Sequence, residues 1–159
     1  MHQYKFQMPA VTADIIVYRY ADGKLQVLLV KRAKDPFKDA WAIPGGHLDV
    51  ETDPNIASCA ARELKEETNI DVDFWNLMFI RFYDQLHRDP RGRYITFAYC
   101  IELPAGAEVQ AADDAKEFDW FDVNDIKSGK VKVAFDHQKI IEDFHYHNRE
   151  RRLKRCEGE

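Results

Sequence analysis

Several residue classes and patterns that decide compartment or chemistry are scarce in this chain. Cysteine occurs three times, as Cys59, Cys100 and Cys156. An odd number without metal-like spacing gives no disulfide framework and fits a reducing compartment. No apolar run reaches the ~20 residues of a membrane-spanning helix. The N-terminus lacks the pattern of a signal peptide. A cytoplasmic protein with no membrane partner is therefore expected. Positive charge is also in short supply. Lys and Arg number 23 against 28 Asp and Glu, a net charge of −5, which argues against a general nucleic-acid surface. There is no internal repeat and no low-complexity segment. What remains is ordinary: 45% hydrophobic and 32% charged residues, the balance of a soluble globule. A length of 159 residues suits one domain, residues 1–159, large enough for a true core.

Against that background the stretch from Gly45 to Ile70 stands out. Its centre is Arg62-Glu63-Leu64-Lys65-Glu66-Glu67. On an α-helix Glu63, Glu66 and Glu67 share one face, within an arc of about 100°. Like charges so close repel, and Arg62 and Lys65 offset this only in part. A hard divalent cation turns the repulsion into coordination, since Mg²⁺ prefers carboxylate oxygen and usually holds substrate phosphates as well. For an acidic run alone, a solvated helix with i,i+4 charge pairs is the plainer alternative. Asp53 is expected to cap the helix, with Pro54 in its first position. Asn69 stands where a left-handed C-terminal cap belongs. Ala57, Ala60, Ala61, Leu64 and Thr68 lie beside the carboxylate face, and such small residues suit close packing on other backbone. Cys59, in the same helix, reads as a small packing residue rather than a nucleophile. Ahead of the helix, Trp41-Ala42-Ile43-Pro44-Gly45-Gly46 reads as a short apolar strand entering paired glycines. Strand, glycine turn, loop and acid-faced helix together aim carboxylates at a phosphate-bound metal.

The remaining segments supply a sheet and its cover. Residues 9–20 and 24–32 read as two strands joined by the turn Ala21-Asp22-Gly23, an antiparallel hairpin. Arg32 closes the second strand, either as a solvated end or as a phosphate contact. Residues 71–75 and 77–83 read as strand material, and residues 94–103 as a further strand. The loop between them, DQLHRDPRGR, carries Arg88, Arg91 and Arg93. It is either a plain hairpin tip or a phosphate grip, because Arg binds phosphate in a bidentate manner. Residues 104–116 are an acidic, alanine-rich excursion, and residues 117–121 a short strand. Asp122 should cap a brief helix that Gly129 ends, and Asp136 should cap the last helix. Ile140, Ile141 and Phe144 give that helix its apolar stripe. Its basic tail, residues 148–155, reads as a solvated helix end. His137, His145 and His147 read as helix-face or packing residues. Residues 1–9, MHQYKFQMP, alternate Tyr4, Phe6 and Met8 in the manner of a half-buried strand that needs a surface to cover it.

The Gly45–Ile70 stretch resembles the signature of the Nudix hydrolases. That signature runs glycine, five residues, glutamate, seven residues, then Arg-Glu-aliphatic-x-Glu-Glu-x-Gly-aliphatic. Here the loop between Gly46 and Arg62 is two residues longer, which leaves the first acid open between Glu51 and Asp53. Asn69 replaces the late glycine and tolerates the same left-handed backbone. Asp35-Pro36-Phe37, Arg88-Asp89-Pro90-Arg91-Gly92, Asp113-Asp114-Ala115, Trp120-Phe121 and Ala134-Phe135-Asp136-His137 resemble one branch of the family. That branch hydrolyses ADP-ribose and includes the sensor domain of NAD-biosynthesis regulators.

The resemblance implies an α/β fold: a Nudix α/β/α sandwich with a mixed central sheet and the loop-helix-loop motif. It implies cleavage of the pyrophosphate of ADP-ribose to AMP and ribose 5-phosphate. Two alternatives stand beside it: another nucleoside diphosphate compound (NADH, a sugar nucleotide, a mutagenic nucleotide) as substrate, or a sensor without turnover. The cofactor implied is Mg²⁺, with Mn²⁺ as an alternative. By position its ligands are Glu63, Glu66 and Glu67, with the carbonyl of Gly45. Arg62 is expected to orient a helix carboxylate. Gly46, Arg32, Arg88 and Arg91 are the substrate-binding candidates, and Glu117 is the candidate general base, with a salt bridge as its plain alternative. The partner expected is a small nucleotide. A nucleic-acid partner is not expected, because the chain lacks the regulators' DNA-binding domain. A homodimer is expected, with residues 1–9 in its interface or folded back on their own sheet.

Overall fold

The computed structural model describes residues 2–110 and 115–158. Asp113 and Asp114 lie outside the described residues. Strands β1 (Ala10–Ala21) and β2 (Lys24–Arg32) form the antiparallel hairpin that the sequence predicts. Asp22 and Gly23 both take positive φ at its turn, as a two-residue hairpin loop requires. The two strands pair with each other only near that turn, from Tyr18↔Val27 to Ala21↔Lys24. Beyond it they diverge. The fork is closed by β3 (Trp41–Ala42), which pairs with β2, and β4 (Gly45–His47), which pairs with β1. Between them the Ile15 N–H donates to the Pro44 carbonyl at 2.9 Å. Residues 41–47 thus form a strap across the fork.

On its other edge β1 pairs in parallel with β6 (Tyr94–Glu102), and β6 carries β5 (Met78–Tyr83) antiparallel. The free edge of β2 is covered by β7 (Ala115–Asp122). Parallel and antiparallel pairs make the sheet mixed, as expected. Helices cover both faces, which explains why the centre of β1 is buried throughout. On one face Ala13, Ile15, Val17 and Leu28 meet Cys59, Ala60 and Leu64 of α1 (Ile56–Thr68). On the other, Ile16, Leu29 and Cys100 meet Val123 and Ile126 of α2 (Val123–Lys127) and Ile140, Ile141 and Phe144 of α3 (His137–Glu157). Each buried Leu, Ile or Phe contributes roughly 1.5–3 kcal/mol. The layers are α/β/α. Among the described residues no helix is long and apolar enough to cross a membrane.

Asn69 and Asp122 cap their helices as predicted: Asn69 has φ 61° and its N–H reaches the Lys65 carbonyl, while Asp122 accepts from the Asn124 N–H. Four local expectations need correction. The cap of α1 is Asn55, whose side chain accepts from the Ser58 N–H at 2.9 Å. Asp53 is drawn away by Arg62, at 2.7 and 2.8 Å, and by the Asp49 N–H. Residues 71–75 are not a strand; Asp73 caps a short 3₁₀ turn over Phe74–Asn76. Residues 2–9 form no strand, and Tyr4, Phe6 and Met8 are exposed. Pairing of β1 with β6 begins at Ala10↔Tyr94, and the chain before Tyr94 is a loop, so among the described residues no strand pairs with the N-terminal segment. Asp136 precedes α3 but makes no side-chain cap. Its carboxylate instead receives Nε and Nη2 of Arg88 at 2.8 and 2.6 Å.

That ion pair ties the β5–β6 loop to the start of α3, and the Arg88 side chain is only 5% exposed. Removing one member of a buried pair leaves the other charge uncompensated, at about 3–5 kcal/mol. Arg88→Ala is therefore expected to lower the urea-unfolding free energy by about 3 kcal/mol. In a double-mutant cycle with Asp136→Ala the coupling should exceed about 1 kcal/mol. Additive losses would show that the pair holds nothing together.

Candidate active site

A cavity of about 360 Å³ opens at the fork between β1 and β2. Its floor is Thr12 and Asp14 of β1 with Gly45 and Gly46 of the strap. Glu63 and Glu67 of α1 form one wall. Lys31 and Arg32, at the end of β2, face them. Arg88, Asp89 and Arg91 of the β5–β6 loop and Phe135 and His137 at the head of α3 complete the lining.

The acidic wall is built on the glycines. The Gly45 N–H donates to Oε2 of Glu67 at 3.1 Å. A Cβ at Gly46 would fall on the Glu63 carboxylate, and one at Gly45 on the Ala13 carbonyl and Asp14. Burial pushes the Glu67 carboxyl up to about 8; the Gly45 N–H pulls it down, Glu63 and Asp14 push it further, and Arg32 pulls it back. Burial also raises Glu63, against the pull of Arg62. Arg62 is a buckle. It holds Asp53, Glu63 at 2.9 Å, Glu66 at 3.3 Å and the His47 carbonyl at 3.0 Å. Asp53, rather than the exposed Glu51, is thus the loop acid that meets the helix. Glu66 does not line the cavity; its side chain is 48% exposed and turned to Arg62. The shared helical face of the three glutamates therefore splits, with two facing the cavity. Cys59 is fully buried, and burial raises its thiol to about 12, which fits packing and not nucleophilic attack.

As they stand, no three Asp, Glu, His or Cys side chains among the described residues sit together as a finished metal cage. The fit to a hard cation is nevertheless good. Glu63 and Glu67 give carboxylate oxygen on one wall, and Mg²⁺ is commonly held by one or two carboxylates with waters and substrate phosphate. The desolvation that raises Glu67 is a cost that a dication offsets.

The cationic wall is organised by one ring. The Arg32 guanidinium lies 4.8 Å from the centre of Phe135 and that of Arg91 5.4 Å from it. Arg91 also stacks on Tyr94 at 4.4 Å and is gripped by Asp89. Burial lowers the pKa of Arg32, with Arg91 adding to the effect. Two guanidinium groups are thereby held near each other, an arrangement that an anion relieves. Arg88 reaches the lining too, but its N–H groups are engaged by Asp136.

Glu117 is not in the lining. It sits on β7, on the outer edge of β2, half-exposed and paired with Lys31. The salt bridge, the plain alternative for this residue, is what forms. His137, read from the sequence as a helix-face or packing residue, lines the cavity, and so does Asp14, which the sequence reading did not single out. Asp14 did carry a signal: a carboxylate midway along the apolar run AVTADIIV is expensive to bury without a purpose.

The NUDIX domain profile matches residues 8–144. The chain is 40% identical over 136 residues to the ADP-ribose pyrophosphatase of Methanocaldococcus jannaschii, covering 86% of this chain and 73% of that protein. The NUDIX domain of Shewanella oneidensis NrtR, solved in complex with ADP ribose, superposes with a TM-score of 0.79 at 26% identity, over 89% of this chain and 90% of the other. A bifunctional NMN adenylyltransferase/ADP ribose pyrophosphatase from Francisella tularensis, solved with AMP and a manganese ion, gives a TM-score of 0.74 at 34% identity. This chain spans 43% of that larger one, and 91% of its own length is covered.

The two glycines predict different outcomes. Gly45→Ala presses on fixed β1 backbone and should lower the unfolding free energy by about 2 kcal/mol, as overpacked cores do. Gly46→Ala meets only the end of the Glu63 side chain and should cost less than half as much. Urea curves for the two variants compare them directly, and equal losses would refute the distinction.

Proposed function

The chain belongs to the Nudix hydrolase family, and from that premise we propose that it hydrolyses ADP-ribose to AMP and ribose 5-phosphate. The observation that carries the reading is one cavity with two acids on one wall and two stacked guanidinium groups on the other. A diphosphate whose charges are shared between a cation and arginines suits both walls. The relatives with ADP-ribose in their names or in their crystals support the same substrate.

Glu63 and Glu67 would hold a divalent cation, Mg²⁺ foremost or Mn²⁺, with the carbonyl of Gly45 as a further oxygen ligand. Once bound, it would activate water at neutral pH and offset charge that develops on phosphate oxygen. Water adds across the pyrophosphate bond; one phosphorus takes its oxygen and the other phosphate leaves. Arg32 and Arg91 bind the phosphates and hold them in line for this attack. Gly46 leaves room for the Glu63 carboxylate. Arg62 fixes Glu63 from behind, and Glu66 acts through Arg62. Arg88 supports the loop that presents Arg91. Glu117 enters only by setting the position of Lys31 at the rim.

We further propose that residues 1–159 act as a single cytoplasmic domain and as a homodimer without a nucleic-acid partner. Exposed Tyr4, Phe6 and Met8, and Phe79 and Phe82 on the edge strand β5, support the dimer. A sensor that binds ADP-ribose without turnover is the second reading, since Arg62 already engages Glu63 and Glu66.

A panel of nucleoside diphosphate compounds, assayed with Mg²⁺ for AMP release, tests the substrate. Turnover is expected to stop with EDTA. Glu63→Gln and Glu67→Gln should each lower kcat by about 10²-fold or more, close to 3 kcal/mol of transition-state stabilisation. Near-normal kcat at saturating Mg²⁺ would remove that residue from its role. Light scattering at micromolar concentration should give about twice the chain mass of 18.6 kDa, and a mass of one chain would refute the dimer.

A further inference from the structure

We propose that Asp14 and His137 form a seat for a ribose hydroxyl of the substrate, with Asp14 accepting its proton and His137 donating to its oxygen. This rests on the ADP-ribose reading above.

Both side chains are deeply set, with Asp14 7% and His137 4% exposed, and both line the cavity. Each is fixed from behind. The Thr96 hydroxyl donates to Oδ2 of Asp14 at 2.6 Å, and Thr96 is itself fully buried. The Ile43 N–H donates to Nδ1 of His137 at 3.0 Å. A neutral imidazole that accepts at Nδ1 carries its proton on Nε2. Burial lowers the His137 pKa, which favours that neutral form. The remaining atoms, Oδ1 of Asp14 and Nε2 of His137, face each other at 3.8 Å.

That separation is too long for a direct hydrogen bond, but one oxygen can lie about 2.8 Å from both atoms. The two atoms ask for different things. Oδ1 needs a donor and Nε2–H needs an acceptor. An alcohol is both. A phosphate has no proton to give and is repelled by the carboxylate, and a metal ion cannot bind a nitrogen that carries hydrogen. The missing side chain at Gly45 keeps this spot open, since a Cβ there would fall on Oδ1. The Phe135 ring lies 5.4 Å from the His137 ring, and the Arg32 and Arg91 guanidinium groups lie 4.8 and 5.4 Å from its centre. A hydroxyl in the seat is therefore close to bound phosphate, as the hydroxyls of a phosphorylated ribose are.

ADP-ribose has two riboses, and substrate analogues separate them. Methyl-ADP lacks the distal sugar, while ADP-ribose built on 2′,3′-dideoxyadenosine lacks the proximal hydroxyls. Asp14→Asn removes the anionic acceptor. His137→Asn keeps an acceptor for the Ile43 N–H and deletes the Nε2 donor. Both should lower kcat/KM for ADP-ribose about tenfold or more, as expected where a hydroxyl is read by hydrogen bonds. The loss should exceed, by tenfold or more, that on whichever analogue lacks the seated hydroxyl. Thr96→Val, which only frees the Asp14 carboxylate, should shift the ratio in the same direction by a smaller factor. Where a compound is not turned over, the same ratios are read from Kd by calorimetry, so an inactive wild type refutes the hydrolase reading and not the seat. Equal losses on all three compounds, or a changed Mn²⁺ affinity in Asp14→Asn, would overturn the seat and return the pair to a structural or metal-holding role.

Discussion

The hydrogen bond from the Gly45 N–H to Glu67 is the contact on which the site depends. It brings the acidic helix against the strap that closes the fork. The helix reaches this place through apolar packing, because Cys59, Ala60 and Leu64 are buried against Ala13, Ile15 and Val17. Burying a carboxylate costs several kcal/mol, and each large apolar side chain offsets roughly 1.5–3 kcal/mol of that. The core therefore holds Glu67 in surroundings that water would not choose. An opposite charge that enters the cavity is bound partly because it ends this mismatch. The paired glycines allow the approach, since any side chain there would strike β1 or Glu63.

Charge is sorted across the cavity by element. Glu63 and Glu67 come from α1 and Asp14 from β1, while the guanidinium groups come from the end of β2 and from the β5–β6 loop, which also brings Asp89. The Phe135 ring lies beside both Arg32 and Arg91, at 4.8 and 5.4 Å from its centre, and neutralises neither. Asp89 and Asp136 do the neutralising at the back, on Arg91 and Arg88.

Much of this was legible in the sequence because it is local. The hairpin announces itself through Asp22-Gly23, the helix through its small-residue stripe, and its end through Asn69. Other features depended on partners distant in the chain. Asp53 and Asn55 are both good caps, and only the reach of Arg62 decides between them. Arg88 reads as free until Asp136, 48 residues later, is brought against it. The alternation in residues 2–8 is strand-like, but a strand needs a neighbour and none lies beyond Tyr94. Glu66 shares a helical face with Glu67 in projection, yet its position near the outer edge leaves it to Arg62 and solvent. His137 carries no local sign of its role, because the backbone N–H that orients it belongs to Ile43.

The order of the elements along the chain also governs when the cavity exists at all during synthesis. Its lining is drawn from residues 12–14, 30–35, 42–47, 63–67, 88–91 and 135–137. The parallel partner of β1 begins at Tyr94, and the last wall arrives with the head of α3. A ribosome-bound chain thus has strands and an acidic helix long before it has a nucleotide pocket. Loop closures over such sequence distances are slow steps, and they come late. A nucleotide in the cell binds the finished molecule and not its precursors, so it stabilises the endpoint by mass action without guiding the route.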